Sequence, residues 1–266
     1  MSEQPTGSDR VEHVIAPHSV ATDEASVRRF SAALGITNSS SIPHTFPISW
    51  LDRDVWTMLS RRSGLQVYQS IRYHNPLTLN RDYVFSLCVM SDQQMKTIKI
   101  SAAVDDGNEA RILDTDGEVV IGAVLAKGVM PQFSEDLPRI NFPAVTAERV
   151  RLYAQASGDH NPIHFDTVAA QAIGAESCVV QGMFIIGQFE TALRQWLPDA
   201  NLISTATRFI HPLLVDLPFT IGGRWAAQPS RSAPSMLRLL VRDARGRAIC
   251  VCDAGLGPPE SAKQLQ

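Results

Sequence analysis

Tyr153-Ala154-Gln155-Ala156-Ser157-Gly158-Asp159-His160-Asn161-Pro162-Ile163-His164-Phe165-Asp166 is the stretch on which the reading of this chain turns. From Ala147 to Ser157 the pattern is helical, with Val150 and Tyr153 at apolar spacing and Thr146 as N-cap. Gly158 follows where a helix C-terminus wants a left-handed residue. Asn161-Pro162 then holds a tight turn, because proline fixes its own φ and restricts the residue before it. Asp159 and His164 lie five residues apart on that loop, so both side chains can face one water. A carboxylate and an imidazole around one water can together take a proton from it and deliver one. The same spacing fits a helix cap followed by an Asx turn with a packed histidine, and spacing alone does not choose between the two.

Working outward, the helix has a counterpart earlier in the chain. Asp23 to Leu34, ending at Gly35, aligns on it without a gap: Val27 with Val150, Arg28 with Arg151, Phe30 with Tyr153, Ala33 with Ala156, Gly35 with Gly158 and Asn38 with Asn161. A second pair of segments aligns in the same order, Ser70 to Leu77 on Ala206 to Leu213, sharing Arg, an aromatic and Pro-Leu. Two matches in one order predict duplicated halves. After each Pro-Leu comes alternating, β-rich sequence: Tyr83 to Met90, Thr97 to Val104 and Val119 to Lys127, then Phe219 to Trp225, Met236 to Val241 and Ala248 to Ala254. Asp105-Asp106-Gly107-Asn108, Asp114-Thr115-Asp116-Gly117 and Asp243-Ala244-Arg245-Gly246 read as turns. Each half also has a second helix, Asp52 to Arg62 in the first and Gly182 to Leu197 in the second. The latter is apolar nearly all round and is predicted to be buried inside a curved sheet. The class is α+β. The expected organisation is a loose N-terminal tail over 1–20, a first half over 21–130, a linker over 131–143 carrying Pro131, Pro138 and Pro143, and a second half over 144–266.

The quoted stretch resembles the signature of the MaoC-like, (R)-specific enoyl-CoA hydratases, a hotdog-fold family. That signature runs aromatic, Ser-Gly-Asp, one residue, Asn-Pro-(Ile/Leu)-His, one residue, Asp. Tyr153, Ser157, Gly158, Asp159, Asn161, Pro162, Ile163, His164 and Asp166 supply every position. Val179-Val180-Gln181-Gly182-Met183 is similar to the family's Val-x-His-Gly-Met block, with Gln181 where histidine is usual. The duplicated layout, from about Asp23 to Gly257, is similar to the two-hotdog members.

The resemblance implies a double hotdog, two tandem folds of a central helix wrapped by an antiparallel sheet, forming a pseudo-dimer within one chain. It implies a carbon–oxygen lyase that reversibly hydrates trans-2-enoyl-CoA to (R)-3-hydroxyacyl-CoA. Asp159 and His164 would be the catalytic pair, with either as base. Ser157 and Asn161 would support the loop or the water, the backbone N–H of Gly182 would bind the thioester oxygen, and Gln181 would support that helix start. The N–H assignment agrees with elementary electrostatics, since a helix start offers free donors to a developing enolate. Two alternatives stay open: dehydration of a (3R)-hydroxyacyl-acyl-carrier-protein (ACP) thioester in fatty-acid or polyketide synthesis, and a non-catalytic acyl-thioester-binding protein. A hotdog thioesterase is disfavoured by the intact Asp-x-Asn-Pro-x-His pattern. In the first half Ile36 stands at the place of Asp159 and Ser41 at that of His164, so that half is expected to be degenerate, with room for an acyl tail.

Bulk properties agree with a packed enzyme. The chain has 266 residues, 44% hydrophobic and 19% charged, with net charge -3. No Lys/Arg run suggests nucleic acid, and no apolar run suggests a membrane partner. The partner expected is an acyl-CoA or acyl-ACP thioester; a further homodimer of the fused pair is left open. Cys88, Cys178, Cys250 and Cys252 lack metal spacing and read as reduced thiols of a cytoplasmic protein. Neither a metal nor a cofactor is implied. Arg72 and Arg208 recur in both halves and read as structural.

Overall fold

The structure is a computed structural model that describes residues 10–36, 41–59, 64–92, 96–108, 110–121, 134–227 and 234–257. The first seven elements are β1 (Arg10–Ala21), α1 (Glu24–Leu34), α2 (Ile48–Leu59), β2 (Gly64–Tyr73), β3 (Asp82–Asp92), β4 (Thr97–Asp105) and β5 (Arg111–Ile121). Then come β6 (Leu137–Phe142), α3 (Ala147–Ser157), a 3₁₀ turn (Pro162–His164), α4 (Thr167–Ala172), α5 (Gly182–Trp196), β7 (Asn201–Phe209), β8 (Phe219–Ala227), β9 (Ser235–Asp243) and β10 (Ala248–Gly257). The strands form one sheet in the order β1-β3-β4-β5-β2-β7-β10-β9-β8-β6. Read from its centre outward, the order is the same on both sides: β2 with β7, β5 with β10, β4 with β9, β3 with β8, β1 with β6. The fold is a double hotdog.

The duplicated segments found in the sequence meet at that centre. β2 and β7 pair antiparallel, with Ser70 opposite Ala206 and Ile71 opposite Thr205. The remaining ladders are antiparallel too, and β3 alternates buried and outward side chains with the period of a sheet solvated on one face. The inner face brings Ile71, Phe85, Leu87, Ile100 and Val104 from one half, and Ile221, Leu239, Val241 and Cys252 from the other. These surround α2 and α5 in one continuous core. On α5, Met183, Phe184, Ile185, Ile186, Phe189 and Leu193 are all buried, which is why a helix without a polar face is stable here.

Three expectations are corrected. Arg10–Ala21 lies within the stretch read as a tail (residues 1–9 lie outside the described residues), yet it is a strand paired along β3. Likewise Leu137–Phe142 lies within the expected linker but pairs with β8; residues 131–133 lie outside the described residues. Both are edge strands, and Pro17 and Pro138 stand at breaks in their registers. A proline at an edge or bulge need not cost a ladder bond, so the residue that signalled irregular chain was compatible with a strand. Third, Asp114 to Gly117 is not a turn but the middle of β5. Asp114 meets His74 and Arg111, Asp116 accepts from Ser101, and Gly117 leaves room for the Gln69 side chain. The acidic residues thus face outward from a strand whose buried positions are Ile112, Leu113, Thr115, Gly117 and Val119. α2 begins at Ile48 rather than Asp52; residues 60–63, where its expected end falls, lie outside the described residues, as do 122–130 of the third expected strand.

The caps at Thr146, Gly35 and Gly158 are as expected, and Asp23, read as the first residue of its helix, is the cap before it. Asp23 caps α1 through Ser26 N and Thr146 caps α3 through Arg149 N. Gly35 (φ 79°) and Gly158 (φ 84°) close those helices in the left-handed region. α1 and α3 pack together, and Arg149 of α3 donates to the carbonyls of Ala32 and Ala33 at the end of α1, at 2.6 and 3.2 Å. A positive charge is favoured there, where unpaired carbonyls collect.

Gly158 is under a double constraint. Besides its φ, an added Cβ would lie 3.1 Å from Cα and Cβ of Arg53 on α2. Gly158→Ala is expected to destabilise the protein by about 1–3 kcal/mol, read as a lower denaturant midpoint with an unchanged slope.

Candidate functional site

α3 ends where the site begins. Ser157 is fully buried, and its Oγ accepts from Asp159 N at 3.2 Å. Asp159 Oδ1 in turn accepts from Asn161 N at 3.2 Å, the Asx-type turn that the spacing predicted. Asn161 caps the 3₁₀ turn through Ile163 N. Its Nδ2 reaches the other half and donates to the carbonyl of Gly64 at the start of β2, at 2.7 Å. A buried side chain thus ties the motif loop to the first half. Asp166 caps α4 through Val168 N at 2.8 Å, and Tyr153 packs edge-on against Phe184 of α5. The signature therefore mixes scaffold residues with chemical ones.

The turn brings Asp159 and His164 together. His164 Nε2 lies 3.3 Å from Asp159 Oδ2, and the residues are 6% and 5% exposed. His164 Nδ1 lies 2.8 Å from the carbonyl of Val179. A carbonyl only accepts, so Nδ1 carries the proton and Nε2 is the atom left to exchange one with Asp159 or a reactant. Removal from water strengthens the interaction between the two groups. Chemically the pair is an acid–base couple with one exchangeable position.

Val179 and Val180 link this couple to the other predicted feature. Val179 N donates to Ile163 O, Val180 N donates to Leu213 O, and Val179 bridges to Leu214. The chain then enters α5 at Gly182. Gln181, the N-cap residue, makes no side-chain cap bond; its Nε2 turns away and donates to Val150 O at 3.0 Å. The N-terminal N–H groups of α5 thus lack a capping side chain, as an anion-accepting helix start requires. Gln181 Oε1 is buried without a partner among the described residues. A Cβ at Gly182 would lie 2.8 Å from Gln66 Oε1 and 2.9 Å from Phe209 Cζ, so glycine permits a close approach at the seam between the halves.

Sequence reading missed two neighbours of the couple. Asp52 of α2 and the Tyr153 hydroxyl are buried; Asp52 Oδ2 and the hydroxyl oxygen have no hydrogen-bond partner among the described residues. Burial, then the charge on Asp159, holds the Asp52 carboxyl well above the usual carboxylate range. Tyr153 is pushed up by burial first, then by Asp52 and Asp159. In the sequence Asp52 is one of three adjacent charged residues, Asp52-Arg53-Asp54, and Tyr153 reads as an apolar helix position and as the aromatic of the signature.

Other groups fall elsewhere. Glu190, buried on α5, accepts from His44 N at 2.9 Å and pairs with Arg194. Burial pushes its carboxyl up, but the hydrogen bonds and charge of His44, with Arg194, outweigh that and lower it. Glu190, His44 and Arg194 line a cavity of about 1210 Å³ beside Tyr73 and Leu193. His160, Arg72 and Arg208 are exposed. Cys250 and Cys252 are buried free thiols, and burial pushes Cys252 up to about 12. Among the described residues no three His, Cys, Asp or Glu side chains group as a metal would need, and no helix is long and apolar enough to cross a membrane.

Comparison with known proteins agrees with this geometry. The 3-hydroxyacyl-thioester dehydratase X of Mycobacterium tuberculosis is 35% identical over 89 residues, 32% of this chain and 30% of that protein. The mitochondrial 3-hydroxyacyl-[acyl-carrier-protein] dehydratase of Arabidopsis thaliana is 31% identical over 70 residues, 26% of this chain and 42% of that one. The matches therefore span less than half the length of either relative. A solved MaoC-like dehydratase superposes with a TM-score of 0.75 at 14% identity, covering 93% of this chain and 97% of that one. Residues 135–221, which hold the motif loop, the Asp159–His164 pair and the start of α5, match the family model of the MaoC-like domain, within a chain folded as a double hotdog.

Proposed function

We propose that this protein interconverts trans-2-enoyl-CoA and (R)-3-hydroxyacyl-CoA by adding or removing water. The observation that carries the reading is the buried Asp159–His164 couple, with Nε2 facing the carboxylate and Nδ1 fixed by Val179 O. In the hydration direction the couple takes a proton from water as its oxygen attacks C3, and a proton is delivered to C2. Either member can act first as base. The thioester oxygen, which gains charge as C3 is attacked, lies at the N–H of Gly182, where the free donors and dipole of α5 stabilise it. Asn161 and Ser157 hold the loop, and Gln181 leaves the helix start uncapped. The cavity beside Tyr73 and Leu193, lined by both halves, is room for the acyl tail.

Dehydration on a carrier-protein thioester is the second reading, favoured by the name of the Arabidopsis relative. The same residues serve it in reverse, since a catalyst acts on both directions of one equilibrium.

Turnover of crotonyl-CoA and a longer enoyl-CoA, followed as loss of the enoyl-thioester absorbance, tests the assignment. Wild type is expected to turn over, and Asp159→Asn and His164→Gln to fall by about a hundredfold or more. A wild-type protein inert on both substrates but active on the matching ACP thioester selects the second reading. Inertness on all of them overturns the enzymatic proposal. Gly182→Ala is expected to lower kcat/KM by about tenfold to a hundredfold, because its Cβ displaces the helix start or the Gln66 and Phe209 side chains. A variant with wild-type kcat/KM removes the thioester oxygen from this position.

A further inference from the structure

The buried cluster around the couple contains one carboxyl group that the reaction as written does not use. Asp52 comes from α2, in the half without the motif, and is 6% exposed. It sits where the two halves are pressed together. α2 packs on α3, and the next residue, Arg53, approaches Gly158 so closely that a Cβ there would have only 3.1 Å. Asp52 senses the charge of Asp159, and the buried Tyr153 hydroxyl senses both. Asp52 Oδ2 and the tyrosine oxygen are without partners among the described residues.

We propose that Asp52 is a positioning residue for Asp159, a second carboxyl group through which the half without the motif completes the site. The inference rests on the proposed reaction for its effect on turnover, but not for its effect on stability. Desolvation and repulsion between two carboxylates in one water-poor neighbourhood each favour a proton on one of them. Asp52 is the member that keeps it. Its neutral form places no further charge beside Asp159 and His164. At high pH Asp52 loses that proton, a second charge appears, and the balance of the couple changes.

The groups around Asp52 leave this assignment intact. Asp159 of the motif loop and Tyr153 of α3 are within electrostatic reach of it, and His164 pairs with Asp159. On its own helix Asp54 turns to His18 of β1 at 3.5 Å, and Arg53 lies under Gly158. β3, also packed on α2, presents Tyr83 and Phe85 to Trp50.

The sign of the linkage follows from the raised value. A carboxyl whose folded value lies above its ordinary 3.8 contributes stability that is full below that value and lost as pH rises toward the folded one. Asp52→Asn and Asp52→Ser remove this loss. Their stability relative to wild type, measured by denaturant unfolding from about pH 4 to about pH 8, is therefore expected to improve as pH rises. Asp159→Asn is expected to weaken that dependence by removing the charge that helps hold the Asp52 proton. In turnover, the wild-type kcat/KM profile is expected to show an alkaline ionisation that both Asp52 variants lack, with kcat at neutral pH lowered by less than about tenfold. A pH-independent stability difference in whichever variant folds, or an alkaline limb that does not move, overturns the proposal. A fall of about a hundredfold at neutral pH overturns it too, because the ionised form of Asp52 would then be the one required. Were wild type inert toward enoyl thioesters, the reaction would fall while the stability measurement still decided the role of Asp52.

Discussion

The antiparallel ladder between β2 and β7 fixes where everything else in this molecule stands. Five residue pairs, from Tyr68–Arg208 to Arg72–Ser204, join two five-stranded arrays into one sheet. Without it each half would expose the open edge of its central strand, a row of unpaired backbone groups that invites aggregation. The ends of these strands also build the site. Gly64, at the start of β2, offers the carbonyl that Asn161 binds; Gln66 and Phe209 flank Gly182. The motif loop and the start of α5 belong to one half, but their positions are set against the other.

Burial then determines how those side chains behave. Asp159, His164, Asn161, Ser157 and Gln181 are all buried, and a buried polar group is costly unless its hydrogen bonds are made. Within the turn Ser157 binds Asp159 and Asp159 binds Asn161, and beyond it Asn161 binds Gly64 and His164 binds Val179. These bonds lock the loop and the tautomer of His164 in one step. The atoms left over, Gln181 Oε1, Tyr153 Oη and Asp52 Oδ2, come from residues of the same region. Local breaches of hydrogen-bond accounting are expected where stability is exchanged for chemistry.

The internal repeat places the Asp159–His164 pair in one half alone. Both halves retain a helix closed by a left-handed glycine, a buried helix and five strands, with a long edge strand in the first half (β1) and a short one in the second (β6). In the first half Ile36 and Ser41 stand where Asp159 and His164 stand in the second. α2 and α5 have diverged too: α5 is longer, and its far end carries the Glu190–Arg194 pair beside the large cavity. The scaffold of a fused pseudo-dimer needs both copies for its core, whereas one acid–base couple is enough for one site.

Local pattern was enough for much of this. The caps at Thr146, Gly35 and Gly158, the apolar character of α5, the Asp243–Gly246 hairpin and the Asp159–His164 loop depend on neighbours a few residues away, and such features are legible in order along a chain. β1, β6 and the middle of β5 were not, because Pro17, Pro138 and Asp114-Thr115-Asp116-Gly117 have the composition of turns. Only the strands beside them, β3, β8, β4 and β2, make an extended conformation the favourable one there. The same distinction holds at the site. The sequence alone determined which loop carries the couple, since turn chemistry is local. Tertiary structure alone decided that Asp52, 107 residues earlier in the chain, joins it, because desolvation and charge act through space and depend on which helix is pressed against the loop.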